Sequence, residues 1–401
     1  MSAEPGATTL PYAARESTLT GSEIDSSTSL LQRQDHDVVR LAMGSPAAEA
    51  IPSGVLGAIA AEISTGASTF DYGPTEGEVG LLEQLEPFAG TARERILVTA
   101  GGMQGLDLVC KLFVDPGDVV AVEAPTYTNG SATITSYEGR LLEIPVDEEG
   151  LMVDALAELG QALSRPPKMI YTIPTFQNPS GKTLSLRRRE ELLALAERWG
   201  AMVLEDDPYG RLAFDGPPPP SLVSLSGEAP WVIGVQTFSK IVAPGLRIGW
   251  VEAAPAVIAR MIDAKQCMDT CTNVPAQRLM ERFLALGEMD AHLARLRQIY
   301  RARKKAMMAS LQAAFGDFGA TWTDPGGGFF TWVTFPPPVD TRELFAAALD
   351  AGVAYIPGDA FFSEAGFTES LRLCFASTTS ERASEGVARL RAAIVARYDL
   401  R

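Results

Sequence analysis

The chain has 401 residues, 46% hydrophobic and 21% charged, which fits a globular protein of about two domains rather than a disordered or fibrous one. A formal net charge of -16 argues against a nucleic-acid partner, and no apolar run is long enough to span a bilayer. Four cysteines without CxxC spacing and only two histidines, His36 and His292, leave few candidates for a metal site or a Ser-His-Asp triad. The expected setting is a reducing cytoplasm with no secretory leader, and the expected proton shuttle is a lysine.

In chain order, residues 1 to about 30 are rich in Ser, Thr, Gly and Ala and read as an arm, with a short helix around Ile24. Strands are predicted at Arg95–Thr99, Val119–Glu123, Lys168–Thr172, Met202–Glu205, Trp231–Gln236 and Arg247–Val251. Helical patterns separate them, including Leu106–Phe113 and Leu186–Trp199, and a long one from about Ala276 to Phe315. Short apolar strands alternating with helices predict an α/β sheet covered on both faces. Trp322–Ala376 predicts a smaller α+β unit.

Four strings carry candidate chemistry. In Thr237-Phe238-Ser239-Lys240, an amine sits just past a strand end beside hydroxyls, and Arg247 follows in a Pro-Gly turn. Such an amine can form an imine with an aldehyde, and hydroxyls with a guanidinium can hold a phosphate dianion. A lone lysine of this kind is more often a solvated turn residue; the whole string weighs against that. In Glu205-Asp206-Asp207-Pro208-Tyr209, carboxylates end a buried strand and need a cation, for which a protonated pyridine ring qualifies. Metal ligation is the competing reading of these acids, weakened by the lack of nearby histidines. Pro174-Thr175-Phe176-Gln177-Asn178-Pro179-Ser180-Gly181 is a turn after a strand, where the Asn178 amide can donate to a phenolate oxygen. Thr99-Ala100-Gly101-Gly102-Met103-Gln104-Gly105 places glycines ahead of a helix, whose N-terminal N–H groups favour an anion.

In this order, these strings resemble the fold-type I aminotransferases, in the branch of the kynurenine and 2-aminoadipate enzymes, over about Leu41 to Ala376. The resemblance implies a large domain with a mostly parallel seven-stranded sheet between helices, over residues 58–295. It also implies a small α+β domain built from 296–401 and part of 1–57. It implies pyridoxal 5'-phosphate as cofactor, an amino acid and a 2-oxo acid as substrates, and a homodimer with shared active sites. Lys240 becomes the Schiff-base lysine and proton shuttle, and Asp206 the partner of the pyridine nitrogen. Tyr209 and Asn178 become partners of the phenolic oxygen. Gly102, Met103, Thr237, Ser239 and Arg247 form the phosphate cup, joined by Tyr72 of the neighbouring subunit. Tyr127 stacks on the ring, Arg372 clamps the substrate α-carboxylate, and Gly44 lies beside that carboxylate.

The chain departs from the family pattern twice. Gly102-Met103 stands where relatives often have Ser-Gln, which keeps backbone donors and loses side-chain donors. Ser22-Glu23-Ile24-Asp25 stands where some relatives have Ser-x-Ile-Arg, so an acidic substrate side chain is expected to be disfavoured. Two rival activities follow from the same resemblance: an oxidising, cyclising or decarboxylating enzyme on this scaffold, and a transcription regulator with an aminotransferase-like domain. The few dozen residues before Leu41 are not basic, which speaks against the regulator.

Overall fold

The computed structural model describes residues 10–22, 33–227, 229–363 and 366–399. The short helix expected around Ile24 and the comparison at Glu23–Asp25 lie outside them.

The described strands are β1 (Val39–Arg40), β2 (Ile96–Thr99), β3 (Val119–Ala124), β4 (Arg140–Asp147), β5 (Gly150–Leu151), β6 (Met169–Thr172), β7 (Met202–Asp206), β8 (Val232–Thr237), β9 (Gly249–Glu252), β10 (Thr321–Trp322), β11 (Phe330–Thr334), β12 (Val353–Ala354), β13 (Ile356–Pro357) and β14 (Ser370–Cys374). The large sheet runs β2-β9-β8-β7-β6-β3-β4-β5. The pairs β8/β7, β7/β6, β6/β3 and β3/β4 are parallel, whereas β9 is antiparallel to both its neighbours. The expected mostly parallel sheet of seven strands is present, with the two-residue β5 added at one edge.

Each strand expected from the sequence forms, with ends shifted by one or two residues. All four residues of β6 are buried, as a strand covered on both faces requires. Leu186–Trp199 forms the expected helix: the Ser185 side chain accepts from Arg188 N at its start, and Gly200 ends it at φ 65. Leu192, Leu195 and Ala196 form its buried stripe.

Two expectations need correction. The helix expected over 106–113 begins a turn earlier, at Gly102. The single long helix expected from Ala276 to Phe315 is two helices, Val274–Ala285 and Met289–Phe315. Asn273 caps the first by accepting from Ala276 N, and Gly287, at φ 70, carries the turn beyond its end.

A second sheet, β10-β11-β14-β13, is antiparallel throughout. The N-terminal β1 pairs in parallel with β12, joining residues near 40 to this C-terminal body. The helix Met289–Phe315 runs through residue 296, where the sequence reading divides the domains, and packs on the C-terminal helix Ser380–Tyr398.

Candidate active site

Parallel strands end on one edge, and that edge is where ligands sit in such sheets. Here β3 leads to Tyr127, β6 to Asn178, β7 to Asp206 and Tyr209, and β8 to Lys240; β2 ends there too, just before Gly101. A cleft with about 990 Å³ of space open to solvent lies over this edge. It is lined by Gly44, Gly102, Met103, Tyr127, Asn178, Asp206, Tyr209, Thr237, Ser239, Lys240, Arg247 and Arg372. The structure thus brings together twelve of the thirteen residues singled out from the sequence. Tyr72 is the exception: it is 83% exposed and outside the cleft.

One end of the cleft is built for an anion. Gly101, at φ 80, precedes the helix Gly102–Phe113, whose first-turn N–H groups have no intrahelical acceptors. A Cβ on Gly101 would lie 2.3 Å from Arg247 Nη2, so the guanidinium occupies the space that only glycine leaves. Arg247 Nη1 donates to Ser239 Oγ at 3.1 Å, and Thr237 Oγ1 donates to Ser239 Oγ at 2.9 Å. Among the described residues Arg247 makes no ion pair, so hydroxyls, helix N–H groups and a guanidinium converge without an acid among them. Met103 turns its sulfur toward the Tyr127 hydroxyl, 3.7 Å away.

The middle of the cleft holds Asp206, Lys240 and Tyr209. Asp206 is 7% exposed, and its Oδ2 accepts from the Tyr171 hydroxyl at 3.0 Å. Burial pushes its pKa up to about 7, against that hydrogen bond and the attraction of Lys240, with Asp207 and Glu123 adding repulsion. Among the described residues no cation pairs with it, which is the environment a protonated ring nitrogen would complete. Lys240 Nζ donates to Gly44 O at 2.7 Å. Burial draws the amine down to about 8, helped by Arg372 and Arg247 and opposed by Cys374 and Asp206. Tyr209 is buried against Phe329 and Phe330.

The far wall is Arg372, which is 1% exposed. Its Nη1 donates to Asn178 Oδ1 at 2.9 Å and its Nη2 to Ala42 O at 2.6 Å, while Nε has no partner among the described residues. The guanidinium lies 4.1 Å from the centre of the Phe330 ring. Burial lowers its pKa to about 10. A buried guanidinium without a carboxylate is completed by an anion from outside.

The three adjacent acids of β7 do not converge as metal ligands would. Strand alternation turns Glu205 to the other side, where it accepts from Leu222 N and Val223 N, both at 2.9 Å. Asp207 Oδ1 accepts from Gly210 N. Asp206 alone faces the cleft. Sequence reasoning missed Tyr171, whose link to Asp206 crosses between strands. It also missed Arg189, which is fully buried and donates to Leu184 O, Pro174 O and Thr175 Oγ1, fixing the loop that carries Asn178. The donors and acceptors present fit a phosphorylated pyridine aldehyde: an anion cup, an unpaired acid and an amine, with a cation beyond them for a second anion.

That combination of sheet, cleft and lysine defines a fold-type I pyridoxal-phosphate enzyme. The chain belongs to the class I and II aminotransferases, whose family profile matches residues 36–390. It is similar to the aromatic-amino-acid aminotransferase 1 of Thermococcus litoralis, 39% identical over 88% of this chain and 87% of that protein. The 2-aminoadipate transaminase of Thermus thermophilus is 37% identical over 88% of this chain and 89% of its own length. In structure it is similar to the kynurenine aminotransferase of Pyrococcus horikoshii, solved with PMP, kynurenine and its product. The TM-score is 0.89 at 35% identity, over 97% of this chain and 98% of that one. The protein is therefore a pyridoxal-phosphate-dependent aminotransferase.

Proposed function

We propose that this enzyme moves the amino group of an uncharged, preferably aromatic, L-amino acid to a 2-oxo acid in a ping-pong cycle, with Lys240 as covalent anchor and proton carrier. The observation that carries the reading is the order of groups along one cleft: an anion cup, a buried acid, a lysine, then a guanidinium, the acid and the guanidinium each without an ion-pair partner among the described residues.

Pyridoxal phosphate, when bound, supplies an aldehyde for imine exchange and a cationic ring that withdraws electrons from the substrate Cα. Gly102 N, Met103 N, Thr237, Ser239 and Arg247 would hold its phosphate. Asp206 would keep a proton on the ring nitrogen, its carboxylate oriented by the Tyr171 hydroxyl that donates to Oδ2. Tyr209 and Asn178 would donate to the phenolic oxygen, and Tyr127 would cover the ring. Arg372 grips the substrate α-carboxylate with its fork, beside the Gly44 backbone. Lys240 Nζ, released from Gly44 O, would take up the substrate Cα proton and carry it across the imine nitrogen to the carbon on its far side. A pKa of about 8 leaves a useful share of that amine neutral near neutral pH.

The substrate preference follows from the cations in the cleft. Lys240, Arg247 and Arg372 are its cationic lining residues among those described, and each already has a role. The rest of the wall includes Met43, Met103, Ile173, Pro208 and Phe330, which suits an aromatic or other uncharged side chain. The name of the Thermococcus litoralis relative supports the same preference.

We place Tyr72 at the phosphate of a neighbouring subunit in a homodimer. Its exposure, beside exposed Phe70 and Val79, supports this position. The cysteines are unpaired, which supports a reducing cytoplasm.

The test is a half-reaction screen: holoenzyme with single L-amino acids, followed by the cofactor's absorbance. Aromatic donors are expected to react fastest, and 2-aminoadipate as the fastest donor would overturn the preference. Borohydride reduction and peptide mapping should find the cofactor on Lys240, and label on another lysine would refute that assignment. Light scattering should give a dimer, and a fully active monomer would refute the shared site.

A further inference from the structure

Glu123 is the next-to-last residue of β3, is 2% exposed, and enters the chemistry above only through its repulsion of Asp206. Among the described residues no cation pairs with it, so a carboxylate here is costly unless donors saturate its oxygens. They do. Oε1 accepts from Thr172 Oγ1 at 2.6 Å, and Oε2 accepts from Ile173 N and from Gln177 Nε2, both at 3.1 Å.

Gln177 is the bridge. Its Nε2 also donates to Pro125 O at 2.7 Å, two residues before Tyr127. Its Oε1 accepts from Ser180 N at 2.8 Å and Ser180 Oγ at 2.6 Å, closing the turn around Asn178. Asn178 Oδ1 then accepts from Arg372 Nη1. Hydrogen bonds therefore tie Glu123 in the sheet to the turn of Gln177 and Ser180, and the backbone of that turn carries Asn178, whose side chain meets the guanidinium at the cleft wall.

We infer that Glu123 is a positioning residue: by accepting from Gln177 and from the end of β6, it fixes the spacing of the loops that carry Tyr127 and Asn178, and through Asn178 the aim of Arg372. This rests on the roles given above to Tyr127, Asn178 and Arg372. The role needs acceptors, not charge, and burial already pushes the Glu123 carboxyl above its usual range.

The test compares Glu123→Gln with Glu123→Leu. The glutamine keeps an acceptor for Ile173 and Gln177 and donates to Thr172, whose hydroxyl can turn. Its amino-donor KM and its Kd for pyridoxal phosphate, titrated onto apoenzyme, should stay within about twofold of wild type. Leucine leaves the donors unmatched, and both constants should rise about tenfold, the scale of losing a buried hydrogen-bond partner. In an Asn178→Ala background, Glu123→Leu should raise KM no further, because the two act along one path.

Wild-type constants in folded Glu123→Leu would overturn the inference. So would equal damage from Glu123→Gln, or KM effects that simply multiply in the double variant. Should Glu123→Leu fail to fold, Gln177→Leu removes the bridge while sparing the bonds to Thr172 and Ile173; the same rise is expected, and wild-type constants there would overturn the inference. An unchanged KM in Asn178→Ala alone would refute the site reading and the Asn178 arm with it. A raised KM in Asn178→Ala beside wild-type behaviour in Glu123→Leu would refute Glu123 alone.

Discussion

Arg372 offers a sharp separation of stability from function. Its guanidinium is buried without a carboxylate among the described residues, and burial lowers its pKa from 12.5 to about 10. At about 1.4 kcal/mol per tenfold, this is roughly 3 kcal/mol against folding. The sign is set by the charged form, which predominates in both folded and unfolded chains below about pH 10, so the whole cost is present at pH 7. Replacing Arg372 by Met removes this cost and keeps apolar contact with Phe330. It also strands two acceptors, Asn178 Oδ1 and Ala42 O, at about 1 kcal/mol each. The balance is an apoenzyme within about 1 kcal/mol of wild type, leaning toward the variant. Truncating one partner of a paired buried ion would instead cost about 3–5 kcal/mol. Function moves the other way: two charge-assisted bonds to the substrate carboxylate are lost, and the half-reaction rate constant should fall about a thousandfold. Denaturant unfolding of both apoenzymes and stopped-flow half-reactions measure the two quantities. A stability loss above about 2 kcal/mol in apo Arg372→Met would refute the claim that this cation waits for an external anion.

Three further outcomes follow from the same geometry. Attachment of pyridoxal phosphate to apoenzyme needs neutral Lys240, so its rate should rise with pH through a midpoint near 8 and then level off; a midpoint near 10.5 would show an unshifted amine. Asp206→Asn keeps an acceptor for Tyr171 but cannot hold a proton on the ring nitrogen, so the half-reaction should slow by on the order of 10²–10⁴ with the fold intact by circular dichroism; Tyr171→Phe should slow it far less. Gly101→Ala forces a non-glycine residue to φ 80 and drives its Cβ into Arg247, so the apoenzyme's Kd for pyridoxal phosphate should rise at least about tenfold, and an unchanged Kd would mean Arg247 is not part of the phosphate cup.

The sequence made the strand ends legible because apolar runs of four to six residues stop at polar strings, and each string became a wall of the cleft. It did not reveal β4, whose Arg140, Glu143 and Asp147 interrupt any apolar run near the sheet's edge. The break between the helices at 285 and 289 turns on one glycine, Gly287, within an otherwise continuous helical pattern. Choosing Asp206 over Glu205 rested on the family resemblance; in the structure Asp206 faces the cleft and Glu205 does not, since neighbouring side chains on a strand point to opposite faces. Tyr171 and Gln177 were invisible because their partners are 35 and 54 residues away and meet them only after β3, β6 and β7 are in register.

The contact of Arg372 with Ala42 joins residues 330 positions apart, and that of Lys240 with Gly44 spans 196. Loops of that size close late, since their entropy is spent before any contact repays it. Every residue proposed to hold the cofactor thus precedes position 340, and Arg372, proposed to hold the substrate carboxylate, follows it, so the cleft is complete only when the last sixth of the chain has folded back onto residues near 42.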